Sequence, residues 1–507
     1  MADVSCIETH ISLVLLAGDF AYKIKKPVSL GFLDYSTIEA RKHMCEEEIR
    51  LNRRLAPDIY LSVERVTDDG HALHIAGEGE TVDYAVKMRR VQEDRVLSSL
   101  IARNDVTREQ IQAVARLLGA FHRGAVTDAD VAMYGRPDAI RRNWSENFEQ
   151  TRDCVDRTLP AETLVDIERF VGRFLTDRSD LIQQRADTGR VRDIHGDLRC
   201  DSVVLDPTGA ISIMDCIEFS DRLRCGDVAG EAAFLGMDME FRGRRDLVDE
   251  FMATYLGETG DGTLGLVMDF YRCYRAYVRG KVEWLMRTGA HSSLERSADD
   301  ARGSHYFAMA KSYASAEHPP CVVAMAGVSG TGKSFVANAL AARFGAAILS
   351  TDRLRRTALG LPADAELRSS PNAGLYAAED RARVYASMRD QARGHLLAGA
   401  PVILDATHAT MAERAQAASL AGGAGVPLLF VHVTADDDAV RARLAARSAS
   451  GTHASDADWA VYLEQLRHFE PLDEFAPGER IQIDGAAALT PNLDAIVERL
   501  SDTPVLR

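Results

Sequence analysis

The chain has 507 residues, 46% hydrophobic and 27% charged, a balance that excludes a wholly disordered or fibrous protein and supplies apolar material for more than one core. Lys and Arg total 60 against 76 Asp and Glu, a formal net charge of −16, which argues against a nucleic-acid coat or a binder of anionic membranes, since both need a positive field. The eight cysteines form no C-x-x-C pair and read as thiols of a reducing compartment; with no basic-then-apolar leader and no apolar run near membrane length, the expected setting is the cytoplasm.

In chain order, Ile11–Leu16 and Phe20–Lys25 flank Gly18-Asp19 and predict a hairpin. Glu39–Leu55 predicts a helix, and Ala85–Met88 a further strand. From Thr107 the pattern turns helical, with Ile111, Val114, Leu118 and Phe121 on one face; His122, at the end of that face, reads as structural. A small β-rich lobe therefore precedes a larger helical one. Ile194-His195-Gly196-Asp197-Leu198-Arg199 leads to Ser202 and the strand Val203–Leu205. Asp206-Pro-Thr-Gly209 then turns into a strand over Ile211–Met214, ending at Asp215. The turn between the two strands brings Asp197 and Asp215 together. Such a pair suits aligning an acceptor hydroxyl and holding Mg²⁺ on phosphates. Asp227, Glu231 and Asp238 fall near helical spacing, either as an acidic wall for a cationic acceptor or as a solvated helix face. Tyr313–Pro320 ends in two prolines before an apolar run and is expected to be a linker, 313–320, between domains 1–312 and 321–507.

These motifs closely resemble the aminoglycoside phosphotransferase branch of the protein-kinase fold, over roughly residues 10–300. The resemblance implies an α+β kinase-like domain with Asp197 as catalytic base and Asp215 as metal ligand. Asp215-Cys-Ile-Glu218 and Asp227-Val-Ala229 match the family's later acidic stretch. It also implies that Lys23, or Lys25 on the same strand face, binds phosphate and pairs with Glu47 or Glu48 on the following helix. Met88, in Val86-Lys-Met88-Arg-Arg, would lie where backbone groups meet adenine. Two departures stand out. Ser202 occupies the place of the Asn that ligates a second Mg²⁺, and the first lobe has no G-x-G-x-x-G loop.

The last part, 321–507, alternates strand-like runs (322–326, 347–350, 401–405, 428–433) with helical stretches, which predicts an α/β domain with a parallel sheet. Gly327-Val-Ser329-Gly330-Thr331-Gly332-Lys333-Ser334 matches G-x-x-x-x-G-K-S between an apolar strand and a helix-like run. Its glycines let N–H groups converge on phosphate oxygens. Lys333 supplies charge to the β- and γ-phosphates, and Ser334 offers its hydroxyl to Mg²⁺. Asp405, ending Val402–Asp405, fits the carboxylate that holds the same ion. Asp352, ahead of Arg353, Arg355 and Arg356, suits a proton acceptor with an arginine placing the acceptor, or else a helix cap. Thr407 and His408 are candidates to line the acceptor site. Arg441, Arg443 and Arg447 lie on one helical stretch before the polar segment Ser448–Asp458.

This part resembles the small P-loop kinases of the gluconate kinase and zeta-toxin type. That likeness implies an arginine-rich lid, with Arg443 at the nucleotide and Arg447 at the transferring phosphate. Together the two resemblances imply a kinase using ATP and Mg²⁺ on a hydroxyl of a small molecule such as a sugar or amino sugar. The alternatives are a nucleotide-gated regulatory ATPase with a degenerate first domain, or a toxin-like nucleotide-sugar kinase.

Overall fold

A computed structural model describes the backbone of residues 4–9, 11–30, 33–286, 293–360, 378–450 and 458–503. Its internal contacts divide the chain into two units, Met1–Arg244 with Tyr271–Ala314, and Arg245–Phe270 with Ser315–Arg507. The division differs from a break at 313–320 in one stretch, since residues 245–270 cluster with the P-loop part of the chain.

The first unit opens with an antiparallel sheet in the order Val4–Glu8, Ser12–Ala17, Phe20–Lys25, Glu80–Arg89, Tyr60–Asp68, Leu73–Ile75. The predicted hairpin is its second and third strands, with Ala17 opposite Phe20 across Gly18-Asp19. Gly18 has a φ of +57°, a turn conformation glycine adopts without strain. The predicted helix runs over Ile38–Asn52, capped by the Thr37 hydroxyl, which accepts the Ala40 N–H. It lays Cys45 and Ile49 against Ala21, Val86 and Met88 of the sheet. Beyond the sheet the unit is mostly helical. Arg108–Gly124 begins with a reciprocal capping box between Thr107 and Gln110 and buries Ile111, Val114 and Leu118 completely. A two-stranded ribbon, Val203–Leu205 with Ile211–Ile213, sets the spacing between Asp197 and Asp215.

In the second unit, five parallel strands lie in the order Ala347–Ser350, Val402–Asp405, Val322–Ala326, Leu428–Thr434, Arg480–Asp484. The central runs are apolar throughout because helices cover both faces. The last strand, with its polar Arg-Ile-Gln-Ile-Asp, carries no such run and is absent from the sequence-based expectation. The helix after the phosphate loop is Lys333–Arg343. Residues 245–270 complete this unit. Helix Arg245–Thr259 packs on Lys333–Arg343, and Gly262 O accepts the Ile348 N–H at 2.9 Å, pairing a backbone group of the edge strand Ala347–Ser350. A Cβ on Gly265 would stand 2.3 Å from both Ala341 O and Ala346 O, so only glycine admits this approach. Among the described residues no helix is long and apolar enough to cross a membrane.

Candidate functional site

In the first unit, the strand Phe20–Lys25 alternates its side chains so that Lys23 and Lys25 share a face, and both reach Glu48. Lys23 Nζ lies 2.7 Å from Glu48 Oε1 and 3.4 Å from Asp215 Oδ1, and Lys25 Nζ lies 2.7 Å from Glu48 Oε2. Lys25 also pairs with Glu218, which accepts the Tyr35 hydroxyl at 2.8 Å. The two lysines are therefore not alternatives. Lys23 faces Asp215, while Lys25, only 1% exposed, ties Glu48 to Glu218 underneath. Glu47 instead pairs with Arg50 at 2.6 Å, so Glu48 is the helix's contribution. Burial pushes the Glu48 carboxyl up, but the two ammonium groups outweigh it and hold it down at about 2. Burial pulls the Lys23 ammonium down, and Glu48 with Asp215 more than restores it, well above its usual value. Met88 packs in the sheet core beside Ala21, at the end of its strand.

Asp215 has a φ of +64°, a strained backbone for a non-glycine residue. It is held there by its N–H to Tyr60 Oη at 3.1 Å and by the next N–H to Asn52 Oδ1 at 2.9 Å. The catalytic-loop candidate is pinned beside it. His195 Nε2 bonds Met214 O at 2.8 Å, and the Ile217 N–H donates to His195 O at 3.1 Å. Asp197 is partly exposed and faces Arg199, with Nε to Oδ1 at 3.3 Å. Ser202 is buried, and its hydroxyl donates to Asp197 O at 3.3 Å; the residue standing in the Asn position is turned back onto the loop.

The acidic series Asp227, Glu231, Asp238 is neither a wall for a cationic acceptor nor a solvated face. All three are buried, and two of them, Glu231 and Asp238, hold the His195–Cys200 loop from behind. Glu231 Oε1 accepts the His195 N–H at 3.0 Å and the Gly196 N–H at 2.7 Å, and Oε2 bonds His122 Nε2 at 2.8 Å. Asp238 accepts the Cys200 N–H at 2.8 Å, and Asp227 takes Arg185 through two bonds of 2.7 Å. Burial raises the Glu231 carboxyl, and His122 with its other donors brings it down to about 2. His122 is the structural group expected.

In the second unit, the loop 327–334 joins the central strand to Lys333–Arg343. Gly332 has a φ of +101° at the helix start, and a Cβ on Gly327 would lie 2.4 Å from Val433 O. Both positions require glycine for the loop to turn its N–H groups inward. Lys333 Nζ donates to Val328 O at 2.7 Å. Asp405 is buried at the end of its strand. Burial raises its carboxyl, opposed by a hydrogen bond from Ser334 and by the charge of Lys333, with Asp352 and Arg353 also within electrostatic reach. Asp352 pairs with Arg355 at 3.0 Å. Ser334, Lys333, Asp405 and Asp352, drawn from three successive strand ends, thus converge.

Thr407 O accepts the Gly327 N–H at 3.0 Å. His408 is turned inward, buried, with Nδ1 2.6 Å from Met325 O and burial lowering its pKa to about 4. It braces the strand end instead of lining a site. Arg443 donates to Gly330 O at 3.3 Å, Thr331 O at 3.0 Å and Gly485 O at 2.6 Å, clasping the loop by its carbonyl side. Arg441 stacks on Trp459 at 4.2 Å. The Arg447 side chain and residues 451–457 of the polar segment lie outside the described residues. Sequence reasoning missed Gln465, whose side chain meets the loop.

The donor set at Ser334 and Asp405 is chemically suited to Mg²⁺. Both offer hard oxygens, and Mg²⁺ at phosphate sites takes one or two protein ligands and leaves the rest to phosphate and water.

A phosphotransferase enzyme family profile matches residues 39–266, and an AAA domain profile matches residues 322–472. Two mycobacterial proteins, Rv2004c of Mycobacterium tuberculosis and Mb2027c of Mycobacterium bovis, are each 34% identical over 449 residues, which is 88% of this chain and 87% of theirs. Among solved structures, a choline/ethanolamine kinase family protein from Mesorhizobium loti is 13% identical with a TM-score of 0.38, covering 62% of this chain and 92% of its own. The GDP complex of aminoglycoside 2'-phosphotransferase-IIIa is 13% identical with a TM-score of 0.37, covering 60% and 92%. A gluconokinase from Sinorhizobium meliloti 1021 is 21% identical with a TM-score of 0.27, covering 37% and 94%. The chain belongs to the family of these mycobacterial proteins, and it joins a kinase-like phosphotransferase-family domain to an AAA-type P-loop domain.

Proposed function

We propose that this chain is an ATP- and Mg²⁺-dependent phosphotransferase that moves a phosphoryl group to a hydroxyl of a small molecule such as a sugar, with residues 1–312 and 321–507 each contributing a nucleotide site. The convergence of Lys333, Ser334, Asp405 and Asp352 carries this reading. The loop N–H groups and Lys333 hold the phosphates in line. Ser334 and Asp405 would hold Mg²⁺, which supplies charge neutralisation on the phosphate oxygens. Asp352 accepts the acceptor hydroxyl's proton as the oxygen bonds to the terminal phosphorus, and the bond to the bridging oxygen breaks to release ADP. In the first unit Lys23 and Asp215 take the phosphate and metal roles, and Asp197 takes the proton.

The buried state of Asp227, Glu231 and Asp238 takes away an acidic wall as support for a cationic acceptor, and leaves an amino sugar resting on the family resemblance. A second reading has the first unit as a ligand-binding regulator of the second. Ser202 favours it, since its hydroxyl donates to Asp197 O from a buried position. Calorimetric titration with ATP tests the nucleotide site. Two-site binding that strengthens with Mg²⁺ and loses one of its two sites in Lys333→Ala supports the proposal; unchanged binding in that variant refutes it.

A further inference from the structure

Helix Trp459–His468 stands against the phosphate loop. Its Tyr462 joins Val440, Leu444 and the loop residue Val328 in a small buried cluster, and the Tyr462 hydroxyl donates to Asp437 at 2.7 Å. Three residues on from Tyr462, on the same helical face, Gln465 Oε1 accepts the backbone N–H of Ser329 at 2.7 Å. That N–H belongs to the set that cradles phosphate. It lies at the loop's entry, four residues before Lys333, whereas the N–H groups at the start of Lys333–Arg343 serve the inner phosphates. One N–H at such a distance serves one strong acceptor, so a phosphate oxygen arriving at Ser329 displaces the carboxamide oxygen. A carboxamide carries a donor at its other corner, and rotation about its last side-chain bond exchanges the two.

We infer that Gln465 is a terminal-phosphate positioning residue: its amide oxygen holds the Ser329 N–H, gives it up to a phosphate oxygen, and its Nε2–H then donates to that same phosphate. This deepens the nucleotide-site reading above and rests on it. The helix has a firm route onward. Just past its end, the Glu470 N–H donates to Ala409 O at 2.9 Å, and Arg414 grips Glu470 O at 3.0 Å and Pro471 O at 2.8 Å. The Glu470 carboxylate also accepts the Met411 N–H. Terminal phosphate at Gln465 is thereby linked through packed backbone to the segment that follows Asp405.

The test uses the full-length protein and two probes with Mg²⁺, the non-hydrolysable ATP analogue AMP-PNP and ADP, titrated by calorimetry and read as the binding that Lys333→Ala removes. Gln465→Glu keeps the shape and still accepts the Ser329 N–H, but it has no donor and sets a negative charge against the incoming phosphate. Affinity for AMP-PNP falls about tenfold or more while that for ADP falls less than about threefold. Gln465→Ala, which adds no charge, shifts the same ratio in the same direction by a smaller factor. If Gln465→Glu melts early, the alanine variant at an unchanged melting temperature decides by that ratio. Variants that bind both probes like the parent, or that lose both equally, overturn the inference, because a purely structural role does not distinguish ADP from its longer relative. A parent protein that binds neither probe overturns the nucleotide-site reading itself, and this inference with it.

Discussion

Glu231 is the residue on which the first unit's His195–Arg199 loop most plainly depends, and its removal has a size that the structure sets. Three donors share its carboxylate: the N–H groups of His195 and Gly196, and His122 Nε2, all within 3.0 Å. The site is closed to water, with Glu231 0% and His122 2% exposed. In Glu231→Ala each donor loses its partner without gaining solvent, at about 1–3 kcal/mol apiece, or about 3–9 kcal/mol together. A domain holds only about 5–15 kcal/mol in total, so the alanine variant brings the first unit to the edge of unfolding. Glu231→Gln keeps one oxygen for the two backbone N–H groups and loses the charge on the His122 side, which costs about 1–3 kcal/mol. Differential scanning calorimetry of the full chain reads this as a fall of about 2–12 °C in the first unit's transition for Gln, and a larger fall or loss of the transition for Ala. Both variants melting within about 1 °C of the parent would refute the anchoring argument.

Acid should weaken the first unit through two carboxyls. Glu48 and Glu231 are held at about 2 against an ordinary 4.5. A depressed carboxyl contributes stability that is complete above the ordinary value and lost as pH falls from there toward 2. The raised lysines act at the other end, their contribution intact below their ordinary value and lost only in strong base. Urea midpoints at pH 7 and pH 3 check this. The parent should lose more between them than Glu48→Gln, and equal losses would contradict it. Gly265→Ala should destabilise the second unit by about 1–3 kcal/mol or more, read as a lower urea midpoint of its transition, because the new Cβ meets two backbone carbonyls. For the same reason the fragment 321–507, which lacks the strand-edge cover at Gly262 and the helix Arg245–Thr259, should be recovered only as aggregate. A soluble fragment that melts cooperatively would contradict that assignment.

The features legible in the sequence are those whose chemistry is contiguous. The loop 327–334 announces itself because its glycines, lysine and serine act within one turn of chain; Asp405 closes the apolar run Val402–Asp405, and Asp352 follows the run Ala347–Ser350 within two residues. Asp197 and Asp215 stand out in the sequence because each flanks one end of a short two-stranded ribbon. Choices that depend on which way a helix faces do not. Glu47 and Glu48 are neighbours in sequence, and only packing against the sheet turns one toward the lysines and the other toward Arg50. Asp227, Glu231 and Asp238 have the spacing of a polar face, yet all three are buried: Glu231 and Asp238 accept backbone N–H groups of the His195–Cys200 loop, and Asp227 takes the Arg185 guanidinium. No local pattern distinguishes a solvated acid from a buried one with partners far away in sequence. Residues 245–270 show the same limit at a larger scale. Their helical pattern is plain, but their partnership with Lys333–Arg343 rests on surface complementarity, visible only in the close passage of Gly262 and Gly265.

The measurement that bears most directly on the function is ADP release by the full-length protein with ATP and Mg²⁺ against a panel of sugars, amino sugars and nucleosides, with Lys333→Ala and Asp197→Ala alongside. At least one acceptor should raise turnover, and Lys333→Ala should abolish the increase. Loss in Asp197→Ala as well places a working transfer site in the first unit, and retention there assigns that unit to ligand binding. Slow, Lys333-dependent hydrolysis that no acceptor accelerates would contradict the phosphotransferase reading and leave a nucleotide-gated switch in its place.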